Sequence, residues 1–124
     1  MAHYRIAVIA GDGIGPEVVA IGVVCMQALA SRHGFEVELT DFPHGASHYT
    51  ATDEVLSDAS LQALKAYDAI YLGAVGAPEV KPGIIERGLL LKLRFELDQY
   101  INLRPVKLCP GVECPLSGKG PEDL

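Results

Sequence analysis

Arg94 and Arg104 are the side chains best suited to recognising a small acid. A guanidinium presents a planar fork of N–H donors that meets a carboxylate through two parallel hydrogen bonds, so a pair of arginines suits a dicarboxylic acid. Arg94 falls in a stretch with helical spacing and Arg104 just past its end, before Pro105, so the two could converge across a helix terminus. Two solvated arginines, with Arg94 reaching Asp98 one turn on, are the plainer reading of the same residues. Two glycine clusters add candidate ligand loops. Gly11-Asp12-Gly13-Ile14-Gly15-Pro16 follows an apolar run and opens a helix, where free backbone N–H groups favour an anion. Its third glycine comes one residue earlier than the dinucleotide fingerprint requires, and a tight strand-to-helix turn accounts for it equally well. Gly73-Ala74-Val75-Gly76-Ala77-Pro78 ends a second apolar run. At the carboxyl edge of a parallel sheet such small residues would let a flat ring approach the backbone, but a loop that merely needs small side chains is the simpler explanation.

Other chemistry is poorly supplied. His3, His33, His44 and His48 form no ligand pattern with the carboxylates; His44 and His48 are four apart but in a loop-like stretch, where hydrogen bonding is the simpler role. Cys25, Cys109 and Cys114 are odd in number and lack a CxxC, which fits free thiols in a reducing compartment. The chain has 124 residues, 49% apolar and 21% charged, an ordinary globular balance. Its net charge of −6 argues against nucleic acid or an anionic membrane as partner. No run reaches membrane-spanning length and the start lacks a signal-peptide pattern, so a cytoplasmic protein is expected.

The elements that must position these residues read as alternating strands and helices. Arg5–Ala10 is a buried strand. Pro16 and Glu17 open a helix over Val18–Arg32 that is apolar almost all round and so expected to be well buried, with His33-Gly34 ending it. Phe35–Phe42 alternates as a second strand. His44–Asp53 reads as a loop or irregular short helix. Asp58 caps a helix over Ala59–Tyr67, and Asp68–Val75 is a third strand. Gly76–Gly83 is a loop, and Glu86–Tyr100 a helix with Leu89, Leu90, Leu93 and Leu97 along one side. Ile101–Leu108 is extended, with Pro105 against a central strand position. The class is α/β with parallel pairing.

Taken in order, IAGDGIGPEV, YLGAVGAP, ERGLLLKLRFELDQYINLRPVKL and PGVECPLSGKGPED resemble the isocitrate/isopropylmalate dehydrogenase family over nearly the whole chain, and ERGLLLKLR with NLRP resembles its isopropylmalate branch. The resemblance implies that family's parallel-sheet fold, incomplete in this chain. It implies residues 1–99 as the first part of an NAD-binding domain and 100–124 as the start of a substrate and dimerisation domain. It also implies an NAD-dependent oxidative decarboxylation of 3-isopropylmalate, in leucine biosynthesis, by a homodimer using Mg²⁺ or Mn²⁺. By position, Arg94 and Arg104 match substrate-carboxylate arginines. Leu90 and Leu91 match the apolar wall for the isopropyl group, and Glu86 matches an acid between substrate and nicotinamide. Ile14 and Gly73, Ala74, Val75, Gly76 and Ala77 match backbone near the nicotinamide side of NAD. The proton-transfer groups and metal ligands of the family come later in its sequence, so this chain is expected to hold no catalytic or metal residue, to be an amino-terminal fragment and to be inactive alone. Phe95 departs from the lysine many relatives carry, and Ala77 stands at a varying loop position. Tartrate or homoisocitrate dehydrogenase is the alternative within the enzyme class, and a nucleotide-binding module the alternative outside it.

Overall fold

In the computed structural model, which describes residues 1–123, three parallel strands form one sheet in the order β2-β1-β3. The strands are β1 (Ala2–Ile9), β2 (Phe35–Asp41) and β3 (Ala69–Leu72), in register with Ile6 opposite Leu39 on one side and Ala69 on the other. The α/β class and the parallel pairing stand as read from the sequence. The central strand explains its own composition: Ala7, Val8 and Ile9 are buried, because both faces of the sheet are covered at that end. β2 alternates half-buried Phe35, Val37 and Leu39 with exposed Glu36 and Glu38, as a strand covered on one face should.

Between β1 and β2 runs helix α1 (Gly15–His33), with Pro16 in its first turn and Gly34 closing it in the left-handed conformation. Here the expectation of a well-buried helix needs correction. Only Gly15, Val19 and Ala30 are buried, while Val18, Ile21, Val24 and Leu29 are each more than half exposed. A three-stranded sheet covers one side of the helix, and nothing among the described residues covers the other. Short helices α2 (Ala46–Thr52) and α3 (Asp58–Leu64) follow β2. The cap of α3 is Ser57 rather than Asp58: its hydroxyl accepts the Ser60 N–H at 3.0 Å, which leaves Asp58 as a first-turn acid.

The expected helix over Glu86–Tyr100 is shorter and less regular. It begins as a π-helical segment, Glu86–Leu91, and continues as α4 (Lys92–Glu96). It stops at Leu97 because Asp98 turns left-handed (φ 51°). The Asp98 N–H then donates to Phe95 O at 3.2 Å and the Gln99 N–H to Arg94 O at 2.8 Å, closing a Schellman turn. No strand forms over Ile101–Leu108. Ile85, Leu89 and Leu93 seat this helix in a core shared with Ala7, Ile9, Leu61 and Leu64. Leu89 is fully buried. Leu89→Ala is therefore expected to lower the unfolding free energy by about 2–5 kcal/mol in a urea titration followed by circular dichroism. A loss below about 0.5 kcal/mol, the range of surface substitutions, would mean that the helix is not docked there.

Candidate functional site

The carboxyl ends of all three strands open onto one edge, and the two glycine clusters lie there against each other. The Asp12 N–H donates to Ala74 O at 2.7 Å. A Cβ on Gly11, which has φ +76°, would collide with that same Ala74 carbonyl, and one on Gly73 with the carbonyl of Ala10. The glycines are thus required by backbone-to-backbone approach between the loops, which sharpens the turn reading of the first cluster. Space remains where a ligand would need it. No atom lies within 4 Å of a Cβ built on Gly13, and only Glu86 Oε1, at 3.8 Å, near one on Gly76. Ile14 is 68% exposed at the start of α1, and Ala74 is exposed beside it in the second loop. A flat ring could rest on this backbone, so these residues fit the nicotinamide-side group implied by the resemblance.

Asp12 was not singled out by spacing, yet it organises the edge. It is buried, and its carboxylate accepts the Ala46 N–H at 2.9 and 2.8 Å and the Gly76 N–H at 3.0 Å. The only sequence signal was an acid between two glycines in a strand-to-helix turn. Its partners are 34 and 64 residues away, beyond any local pattern.

The helix Glu86–Glu96 carries the other candidates. Glu86 is held at its start, its carboxylate accepting the Gly83 N–H at 2.9 Å, and it shares a shallow depression of about 230 Å³ with Gly76, Ala77 and Pro78. Farther along, Leu90, Leu91, Arg94 and Arg104 line a single cleft of about 450 Å³, together with Ile70 and Leu72 of the β3 edge. The Schellman turn reverses the chain so that residues 99–104 return beside α4, and that reversal brings Arg104 to Arg94. The Arg94–Asp98 pair is not formed, and among the described residues neither arginine has an ion-pair partner; Arg104 Nε donates only to Asn102 Oδ1 at 3.3 Å. Two cations beside an apolar wall, without a carboxylate of their own, can bind an anion that carries an alkyl group. Lys92 anchors this helix separately, donating to Leu56 O and pairing with Asp58, both at 3.0 Å. No group of three or more His, Cys, Asp or Glu side chains converges as a metal site among the described residues.

A profile of the isocitrate/isopropylmalate dehydrogenase family matches residues 5–123. The chain belongs to that family. It is 55% identical over 120 residues to a 3-isopropylmalate dehydrogenase of Thermobifida fusca, covering 97% of this chain and 34% of that protein. It is 54% identical over 115 residues to one of Streptomyces coelicolor, covering 93% and 33%. The chain thus spans about a third of the length of these curated relatives. Among solved structures, a β-decarboxylating dehydrogenase from Thermococcus kodakarensis superposes with a TM-score of 0.61 at 35% identity, over 77% of this chain and 27% of that one. This isocitrate/isopropylmalate dehydrogenase fold, of which the chain covers a part, is the one expected from the sequence. No helix among the described residues is long and apolar enough to cross a membrane.

A histidine beside this edge has a shifted pKa. His44 is buried in the loop after β2, with the Phe42 ring on one side and the His48 ring edge-on at 5.1 Å, and among the described residues neither of its ring nitrogens has a hydrogen-bond partner. Burial holds its pKa below the ordinary 6.5, and His48 acts in the same direction; the Val55 backbone and the Glu54 carboxylate oppose this more weakly. The unfolded chain then binds the proton better, so stability is full above the ordinary value and declines as pH falls from about 6.5. His44→Leu is expected to flatten that decline. Urea midpoints at neutral and mildly acidic pH for both proteins check it, and parallel pH dependences would contradict it.

Proposed function

We propose that this chain supplies the substrate-carboxylate and nicotinamide-side parts of a 3-isopropylmalate dehydrogenase, an NAD-dependent oxidative decarboxylase of leucine biosynthesis. The observation that carries the reading is the meeting of two unneutralised arginines, Arg94 and Arg104, with Leu90 and Leu91 in one cleft. The guanidiniums take the two carboxylates of a 2-hydroxy dicarboxylic acid and fix its orientation. Leu90 and Leu91 meet the branched alkyl group, a contact worth about 0.8 kcal/mol per buried CH₂. An isocitrate-type substrate would place a third carboxylate against that wall, at a desolvation cost with no partner.

NAD, when held here, would supply the hydride acceptor for oxidation of the hydroxyl-bearing carbon, and the hydroxyl proton would pass to a base that this chain does not supply. Ile14 and the backbone of Gly73, Ala74, Val75, Gly76 and Ala77 form the shelf for the nicotinamide. Glu86, beside Gly76 and one turn before Leu90, stands between the two sites and orients what lies there. In this reading a Mg²⁺ or Mn²⁺ ion would take its ligands, like the proton-transfer groups, from the part of the relatives' length that this chain does not span. Residues 1–99 form the first part of the NAD-binding domain. Residues 100–123, irregular and mostly exposed, begin a second domain in a cytoplasmic homodimer; Leu124, included in that segment by the sequence reading, lies outside the described residues.

In an enzyme carrying this sequence as its first third, 3-isopropylmalate is expected to be turned over in preference to tartrate and homoisocitrate when NADH formation is followed with Mg²⁺ present. Arg94→Ala and Arg104→Ala should each lower kcat/KM for it by roughly 10- to 150-fold, equivalent to about 1.5–3 kcal/mol for a lost charge-assisted hydrogen bond. Unchanged kinetics in both variants would remove the arginines from the site, and preference for another acid would move the chain to a different branch. The 124-residue chain alone is expected to give no turnover.

A further inference from the structure

The residue that fixes the cofactor shelf lies outside the set identified by resemblance. We propose that Asp12 is a positioning residue for the cofactor side of the site, its buried carboxylate setting where the Gly73–Ala77 loop stands relative to the first turn; this rests on the dehydrogenase reading above. Asp12 grips that loop at two points: its N–H donates to Ala74 O at 2.7 Å and its carboxylate accepts the Gly76 N–H at 3.0 Å. The same carboxylate takes the Ala46 N–H at 2.9 and 2.8 Å and lies within 3.5 Å of the Ser47 N–H. Among the described residues no lysine, arginine or histidine pairs with it. Backbone N–H groups alone therefore satisfy a carboxylate that is only 8% exposed. The neighbouring loop is shaped to it, since a Cβ on Gly45 would stand 2.8 Å from Asp12 Oδ1.

The geometry separates this role from general support of the fold. The substrate cleft hangs on the helix Glu86–Glu96, which is anchored by Lys92 to Leu56 and Asp58, and not on Asp12. Loss of the Asp12 carboxylate should therefore disturb the nicotinamide shelf and spare the arginine cleft. Alanine removes every acceptor. Asparagine keeps one oxygen and turns N–H donors toward backbone donors, so it should retain part of the effect.

Two measurements test this. In the 124-residue chain, amide hydrogen exchange by NMR is expected to quicken about tenfold or more at Gly76 in Asp12→Ala, less in Asp12→Asn, while β1–β2 ladder amides keep their protection. In the enzyme carrying this sequence, Asp12→Ala should raise KM for NAD about tenfold and hold KM for the hydroxy acid within about twofold, with Asp12→Asn between it and the parent. Unchanged exchange at Gly76 would overturn the clasp. An unchanged KM for NAD, or an equal rise in both KM values, would overturn its link to the cofactor. If Asp12→Ala does not fold, the same comparisons with Asp12→Asn decide both points. A parent enzyme inactive on every 2-hydroxy dicarboxylate would count against the dehydrogenase reading instead, and the exchange measurement would still decide the clasp.

Discussion

One buried carboxylate joins the loops that leave all three strands. Asp12 follows β1, Ala46 follows β2 and Gly76 follows β3, and the two backbone N–H groups converge on the Asp12 side chain. Parallel strands deliver their loops to one edge but do not fix the distances between them. Hydrogen bonds to a desolvated charge do, because leaving either side unpaired in a buried setting is costly. The glycines at Gly11, Gly45 and Gly73 then follow as conditions of close approach around that contact.

The helix Glu86–Glu96 is the second positioning device, and its irregular ends matter more than its middle. The π-helical start shifts Glu86 and Leu90 away from a strict α spacing, a distortion that recurs at functional sites. The Schellman closure folds the following segment back, so that a residue ten positions on shares a cleft with Arg94. Leu89 and Leu93 bury one side while Leu90, Leu91 and Arg94 stay at the cleft. In the proposed reading the chemistry divides along these two devices: the shelf on one, and the acid, carboxylate grip and alkyl wall on the other.

The strand and helix order was legible because periodicity and glycine punctuation are local signals. β2 alternates, α1 carries Pro16 in its first turn and is closed by Gly34, and Arg94 lies on a helix with Arg104 beyond its end. What escaped was set by distant partners or by absent ones. The burial of Asp12 depends on N–H groups from two other loops. The exposed side of α1 could not be read from its composition, which is apolar all round whether or not a neighbour covers it. The helix end at Glu96 turned on a left-handed aspartate, a conformation that glycine signals plainly and Asp98 does not. Spacing left the arginines and glycine loops open to bland readings; their order along the chain pointed to the family, and the cleft showed which of them meet.

A crystal structure of the enzyme carrying this sequence, with 3-isopropylmalate and NAD bound, tests the division of the site most directly. The carboxylates are expected within hydrogen-bond distance of Arg94 and Arg104, with the isopropyl group on Leu90 and Leu91 and the nicotinamide on the Gly73–Ala77 backbone. A substrate bound elsewhere, or both guanidiniums turned to solvent in the complex, would contradict it.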